Sequence, residues 1–255
     1  MMLDLLRDFQ PVSLAELDQR ARLMRRTDNK YVLDAQQLRS FLQQHQTDYD
    51  VLTIDGVQQF HYRNLYLDSP DFDTFRDHNM GRRRRFKIRF RHYHEAQLYF
   101  FEVKIKGFRN ETLKYRQRTD QSAFEAAQLP ESLYQFASRH IQEHYDYPLT
   151  YPLLPAMYVD YERITLVGKE QAVRITIDNH IRYRSAEGTQ ALAADYYVVE
   201  VKSALGRSAA DRWLRAHRKH PVQRCSKYCM GVNLLAFPDK NTRFRPVLRR
   251  QFQHQ

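Results

Sequence analysis

One stretch of this chain alternates cationic and apolar side chains with a period of two. Between residues 83 and 92, Arg83, Arg85, Lys87, Arg89 and Arg91 share one parity, and Arg84, Phe86, Ile88, Phe90 and His92 share the other. A strand sends successive side chains to opposite faces, so the pattern predicts a strand with one charged and one largely apolar face. The neighbouring segments repeat it. Phe100, Glu102, Lys104 and Lys106 oppose Phe101, Val103 and Ile105, and Lys114, Arg116 and Arg118 fall together. Further on, Tyr161 pairs in parity with Arg163, and Arg174, Thr176 and Asp178 oppose Val173, Ile175 and Ile177. Glu200 and Lys202 oppose Val199 and Val201.

A half-buried antiparallel sheet whose polar face meets water explains any one of these strands. It explains the set poorly, because adjacent rows of Arg and Lys repel one another unless an anion or interleaved carboxylates offset them. A water-filled lumen lined by these rows suits a chain of phosphates, which Arg forks and Lys ammoniums bind strongly. The expected fold is therefore mainly antiparallel β with surface helices, closed into a barrel tunnel of about eight strands. The formal net charge of +11 agrees with an anionic partner without choosing one.

Turn and cap signals divide the chain. Ser13 and Glu16 have capping-box spacing for a helix to about residue 24, and Asp34 is an N-cap for a helix over 35–44. Ser69-Pro70 opens a helix ending near Gly81. Asp55-Gly56 reads as a tight turn and 167–170 as a hairpin turn. Strands are expected over 26–33, 59–67, 82–93, 97–106, 111–118, 155–167, 172–184 and 196–202, and helices over 121–128, 131–144 and 211–219. Residues 1–238 read as one domain, and 239–255 as a basic, irregular tail. No signal core opens the chain and no apolar run reaches the roughly 20 residues that span a bilayer. With Cys225 and Cys229 too few for a zinc site, the expectation is a soluble, cytoplasmic protein with reduced thiols.

Eight short motifs in order resemble the vacuolar transporter chaperone (VTC) domain, a relative of the CYTH domains among the triphosphate tunnel metalloenzymes. They are Arg-Thr-Asp-Asn-Lys-Tyr (26–31), Tyr-Leu-Asp-Ser (66–69), Lys-Ile-Arg-Phe-Arg (87–91), Phe-Glu-Val-Lys (101–104), Tyr-Glu-Arg (161–163), Val-Arg-Ile-Thr-Ile-Asp (173–178), Val-Glu-Val-Lys (199–202) and Ser-Lys-Tyr (226–228). The resemblance implies a tunnel holding ATP, another triphosphate or polyphosphate, and polyphosphate synthesis with Mn or Mg. It implies phosphate contacts from Lys30, Arg89, Arg91, Lys104, Lys114, Arg163, Arg174 and Lys227. Glu200 would be the main metal ligand, with Tyr161 and Ser226 in support. The shared strand faces add Lys87, Arg116 and Lys202 as phosphate contacts and Glu102 as a second metal candidate. The catalytic set among these is Arg89, Arg91, Lys104, Arg163, Arg174 and Lys227.

The chain departs from the family's hydrolases, whose N-terminal Glu-x-Glu-x-Lys is here Arg26-Thr-Asp28-Asn-Lys30. That removes acidic groups useful for a second metal or for orienting water. The alternatives are a hydrolase of inorganic or organic triphosphate and a non-catalytic polyphosphate binder. Nucleic acid is not the expected partner, because most aromatics fall on the core-like face, away from the cations. Any membrane attachment would come from a separate protein. His61, His92 and His94 lack the i, i+4 spacing of a helical metal pair.

Overall fold

The computed structural model describes residues 2–20, 27–109, 111–126, 128–238 and 242–251. In chain order the elements are α1 (Met2–Leu6), β1 (Gln10–Val12), α2 (Leu14–Arg20), β2 (Thr27–Asp34), α3 (Ala35–His45), β3 (Tyr49–Leu52), β4 (Gln59–Asp68), α4 (Asp73–Met80), β5 (Phe86–Tyr93) and β6 (Leu98–Lys106). They continue with β7 (Thr112–Thr119), α5 (Gln121–Glu125), α6 (Glu131–Tyr145), β8 (Leu154–Gly168), β9 (Arg174–Ser185), β10 (Gly188–Ala191), β11 (Tyr196–Ser203), α7 (Ala209–Ala216), α8 (Lys227–Leu235) and α9 (Arg245–Gln251).

One sheet runs β2-β11-β9-β8-β4-β5-β6-β7, antiparallel throughout, with β10 on β9, β3 on β8, and β1 parallel to β3. The expected closure does not occur: β2 and β7 end the path without pairing. At β2 the edge meets another segment instead, where the Val222 N–H donates to the Lys30 carbonyl at 2.6 Å. At β7 one face carries Lys114, Arg116 and Arg118 and the strand is mostly exposed, and such edge charges discourage further pairing. The sheet nonetheless curls into a trough. Lys104 on β6 and Glu200 on β11 lie five strand steps apart, roughly 24 Å if the sheet were flat, yet the Glu200 carboxylate is near enough to favour the charged form of Lys104.

Helices cover the convex side. The Asp34 carboxylate accepts from Gln37 N while the Gln37 side chain accepts from Asp34 N, so α3 starts where the capping signal placed it. Its Leu38, Phe41 and Leu42 pack on Tyr31, Leu33, Ile175, Ile177, Val199 and Val201. Over the other half, Leu133, Ala137 and Ile141 of α6 pack on Phe86, Ile88, Phe101, Val103 and Ile105. The concave side is filled at one end by α8, whose Met230 and Val232 pack on Met157, Val159, Ile181 and Tyr183. A Cβ on Gly231 would stand 2.5 Å from the Tyr183 ring, so glycine is what lets α8 approach this closely. A bulge sets the parity there: β9 places one extra residue opposite Asp160/Glu162, and His180 takes a φ of 47°. Asp178 and Tyr183, of opposite parity, thereby face the same side.

Other differences are local. Residues 82–85, expected in the strand, precede β5 as a turn after the αL cap of α4 at Gly81 (φ 71°), pinned by Arg85 N–H donating to Tyr145 Oη at 2.9 Å. Arg83 and Arg85 therefore do not extend the strand's charged row. Helix α4 begins at Asp73 rather than at Ser69-Pro70. The capping box at Ser13 and Glu16 forms, but the helix is described only to Arg20, and Arg26 also lies outside the described residues. The tail carries α9, held by Phe244 and Leu248 against α8 and its neighbours. Among the described residues no helix is long and apolar enough to cross a membrane.

Candidate functional site

Alternation brings the predicted cations onto the concave face. On β5 these are Lys87, Arg89 and Arg91; on β6, Lys104; on β7, Lys114 and Arg116; on β8, Arg163; on β2 and β11, Lys30 and Lys202. Lys227 enters from the first turn of α8, whose N-cap is Ser226. Glu102, Asp178 and Glu200 face them, and Asp28 lies opposite Lys202 in register. Glu102, 2% exposed, receives Arg89 at 2.7 Å, Lys114 at 2.5 Å and Arg91 at 4.0 Å. Asp178 takes a two-pronged contact from Arg163 at 2.6 and 2.8 Å and a further one from Lys227. Glu200 lies between Lys30 at 3.0 Å and Lys202 at 3.1 Å.

These pairings set the ionisation. Burial alone would raise each carboxyl, but the adjacent cations outweigh it: Asp178 is held at about 2, and Glu102 and Glu200 well below the ordinary range. Burial also pushes the Tyr161 phenol up, yet Arg163 and Arg91 bring it below its ordinary value. The lysines respond oppositely. Lys104 is pushed down to about 7 by desolvation and then by Lys87, Lys30 and Arg89, against the pull of Glu200, although the residue still touches water. Lys114 falls to about 8, desolvation outweighing Glu102. Lys87 is also lowered by burial; its Nζ donates to Ser226 Oγ at 2.8 Å and has no carboxylate partner among the described residues.

Two predicted residues sit at the margins. Arg174 shares the face of Thr176 and Asp178 but reaches Asp18 of α2 at 2.7 Å. Arg116 is exposed, its guanidinium 4.9 Å from the Phe100 ring centre. Several partners were not anticipated. Arg91 donates to Asn64 Oδ1 at 2.9 Å and to Tyr161 Oη at 3.3 Å, and Arg89 donates to Tyr66 Oη at 2.9 Å. Alternation along β4, taken from Tyr62 through Asn64 to Tyr66, would have found them. The expectation that most aromatics lie away from the cations needs correction: Tyr62, Tyr66 and Tyr93 join Phe100 and Tyr161, which strand parity already placed on this face, with Arg91 and Arg163 over the Tyr62 ring at 5.4 and 5.0 Å. Both cysteines are free and buried, and burial pushes their thiols up.

A metal would find a limited donor set. Among the described residues no cluster of three His, Cys, Asp or Glu converges. Glu200 does lie opposite Thr176 in register, and the buried Thr176 Oγ1 has no hydrogen-bond partner. One carboxylate beside a hydroxyl fits a divalent cation that arrives with phosphates and keeps several waters, not one caged by protein. A shallow depression of about 260 Å³ among Leu33, Gln37, Trp213 and Lys219 lies on the convex side, away from these charges.

The fold is an open, curled antiparallel sheet with helices on its convex side and a cation-rich concave face, and the sequence places it in a family. The family model described as the VTC domain matches residues 25–236, so the chain belongs to the VTC domain family. Among solved structures it is similar to a Hippeastrum protein described as a candidate adenylyl cyclase with a dominant triphosphatase activity: TM-score 0.51, 12% identity, covering 83% of this chain and 97% of that one. A candidate adenylate cyclase of Vibrio parahaemolyticus (TM-score 0.44, 10% identity, 80% and 97% covered) and a Pyrococcus horikoshii protein (0.44, 11%, 82% and 99%) align more loosely. Among curated proteins no sequence relative matches.

Proposed function

We propose that the chain is a polyphosphate polymerase-like phosphotransferase, which holds ATP and polyphosphate on its concave cationic face and moves the terminal phosphoryl group onto the growing chain. The carrying observation is that the inward cations outnumber the carboxylates Glu102, Asp178, Glu200 and Asp28 facing them, with Lys87 lacking a carboxylate partner among the described residues. A surplus of positive charge gathered on one concave, partly buried face is what a polyphosphate anion complements.

In the transfer, an oxygen of the chain's terminal phosphate bonds to the γ-phosphorus of ATP. The bond from that phosphorus to the β–γ bridging oxygen breaks, and ADP leaves with the electron pair. The attacking oxygen is already ionised, so no strong base is needed, and positioning and charge stabilisation dominate. Arg89 and Arg91, locked by Glu102, Tyr66 and Asn64, present guanidinium edges without reorganising. Lys104, Lys87, Lys114 and Lys227 supply ammonium groups, Lys30 and Lys202 flank Glu200, and Arg163 is steadied by Asp178. A divalent Mn or Mg, held by Glu200 with Thr176 beside it, would neutralise phosphate oxygens and polarise the transferring group.

The test is incubation of the purified protein with ATP and Mn or Mg, with products resolved by gel. A polyphosphate ladder that depends on ATP is expected. Release of inorganic phosphate without chain growth would replace this reading with a triphosphate hydrolase, and binding without turnover would leave a polyphosphate binder. Glu200→Gln is expected to keep polyphosphate binding and lose metal-dependent turnover by orders of magnitude. Arg89→Ala should weaken binding and turnover together, since its contact is present in ground and transition states alike.

A further inference from the structure

The concave face is not uniform along its strands. At one end, toward the start of β5 and the finish of β6, stand Lys87, Lys104 and Lys106. At the other end the same face turns aromatic. Phe100 occupies the position on β6 that alternates with Glu102 and Lys104, so an uncharged ring stands half-buried in a row of charges. Tyr93 ends β5 beside it, ring centres 5.8 Å apart and perpendicular. Tyr62 on β4 meets Tyr93 at 5.0 Å and stacks on Tyr161 at 5.3 Å. The exposed Arg116 lies over Phe100, and Arg91, opposite Phe100 in register, lies 5.4 Å from the Tyr62 ring centre and 5.7 Å from that of Tyr93.

Core packing does not require this composition, because the apolar side of β5 and β6 faces α6 on the other surface. Half-exposed rings with guanidinium groups beside them are the two chemical groups on which nucleobases stack. The spacing fits as well. Phe100 and Lys104 are four residues apart on one strand, roughly 13 Å, a length that an extended nucleoside triphosphate covers from base to terminal phosphate. Arg91 stands level with Phe100, and Arg89, paired with Glu102, lies between that level and Lys87 and Lys104, where ribose and the inner phosphates would lie.

We propose that the Tyr93–Phe100 shelf, with Tyr62 behind it and Arg116 as its cover, is a nucleobase subsite that makes this face prefer purine nucleoside triphosphates over inorganic triphosphate. The inference rests on the reading of the concave face as a triphosphate site. The shelf offers rings and guanidinium groups, so selection follows stacking area: ATP and GTP bind alike, and CTP and UTP more weakly.

Equilibrium binding in EDTA tests it without turnover or metal, using ATP, GTP, UTP and inorganic tripolyphosphate with the full chain. Phe100→Ala should weaken ATP about tenfold and leave tripolyphosphate unchanged, the drop expected for losing one stacked ring. Tyr93→Ala should behave likewise, and Phe100→Tyr should restore ATP binding while an unchanged melting temperature shows the fold intact. If ATP and tripolyphosphate bind the wild type equally, or if Phe100→Ala lowers both together, the subsite does not exist and the phosphate reading stands. If tripolyphosphate fails to bind the wild type at all, the phosphate reading falls and takes the subsite with it.

Discussion

The two walls of the trough use the same residue types to opposite effect. On the wall built from β2, β11, β9 and β8, cations and carboxylates interleave: Lys30, Glu200 and Lys202 form one unit, and Arg163, Asp178 and Lys227 another. On the wall built from β5, β6 and β7, Glu102 faces Arg89, Arg91 and Lys114, Lys104 has only the pull of Glu200 from the other wall, and Lys87 has no carboxylate partner among the described residues. The first wall is largely neutralised before any ligand arrives. The second keeps its surplus, and desolvation, with the neighbouring cations adding to it, holds Lys104 at about 7 and Lys114 at about 8. A stable fold can hold such a surplus only next to a well-satisfied partner wall, and the surplus is what an incoming anion relieves.

The largest effect should come from the overloaded carboxylate. Glu102→Gln leaves the buried Arg91 and Arg89 without countercharge, and breaking a buried pair costs about 3–5 kcal/mol. Glu200→Gln should cost less, because it strands two lysines rather than three cations and one of them, Lys30, is 32% exposed and screened by water. Urea unfolding of the two variants decides it. Tripolyphosphate should stabilise Glu102→Gln more than the wild type, since the anion replaces the missing charge. Equal losses in the two variants would erase the distinction between the walls.

Helix α8 ties the walls together, with Ser226 on Lys87 and Lys227 on Asp178. Gly231→Ala drives a methyl into the Tyr183 ring, so it should destabilise by roughly 1–3 kcal/mol and, by lifting the N-terminal turn, weaken tripolyphosphate severalfold. Loss of stability at unchanged affinity would show that the helix is packing alone.

The lysine-rich wall also predicts proton uptake. Lys104 lies below its ordinary value of 10.5 when folded, so between about 7 and that value the folded chain binds fewer protons than the unfolded one. Its contribution to stability is therefore lowest below pH 7 and grows as pH rises through this window. A bound polyanion favours the charged form and reverses the shift, so binding at pH 8 should take up about one proton and affinity should fall as pH rises. Calorimetry in buffers of different ionisation enthalpy measures this, and Lys104→Ala should abolish most of it. Uptake unchanged in that variant would place the proton elsewhere.

How much of this was legible follows from what alternation encodes. It sorts Lys87, Arg89, Arg91 and Lys104 onto one face because strand parity is local. It says nothing about whether β2 reaches β7, which depends on the Val222 segment occupying the β2 edge, a contact far away in sequence. The bulge at His180 was invisible for a related reason, since one extra residue changes parity without changing composition. Asp178 lay on the predicted polar face throughout, and only its neighbours Arg163 and Lys227 reveal that it organises them. The tail's basic composition hid Phe244 and Leu248, whose spacing lets α9 pack.

The smallest expected effect belongs to the Arg82–Arg85 run, which the sequence placed at the head of the cationic row. Arg83 and Arg84 are instead exposed in the turn before β5, one donating to the Phe108 carbonyl at 2.9 Å and the other 5.7 Å from the Phe108 ring centre. They stand outside the trough, where salt screens charge over about 8 Å, so they add little to what Lys87 and Lys104 do within it. Changing both to Ser should alter stability by less than about 0.5 kcal/mol and leave tripolyphosphate affinity unchanged at physiological salt. Lowering the salt should open a small gap between variant and wild type, because the screening that hides these charges is then removed. A loss at high salt as large as that of Lys104→Ala would mean the turn belongs to the binding wall after all, and the boundary of the trough would have to be drawn through Gly81 rather than at Phe86.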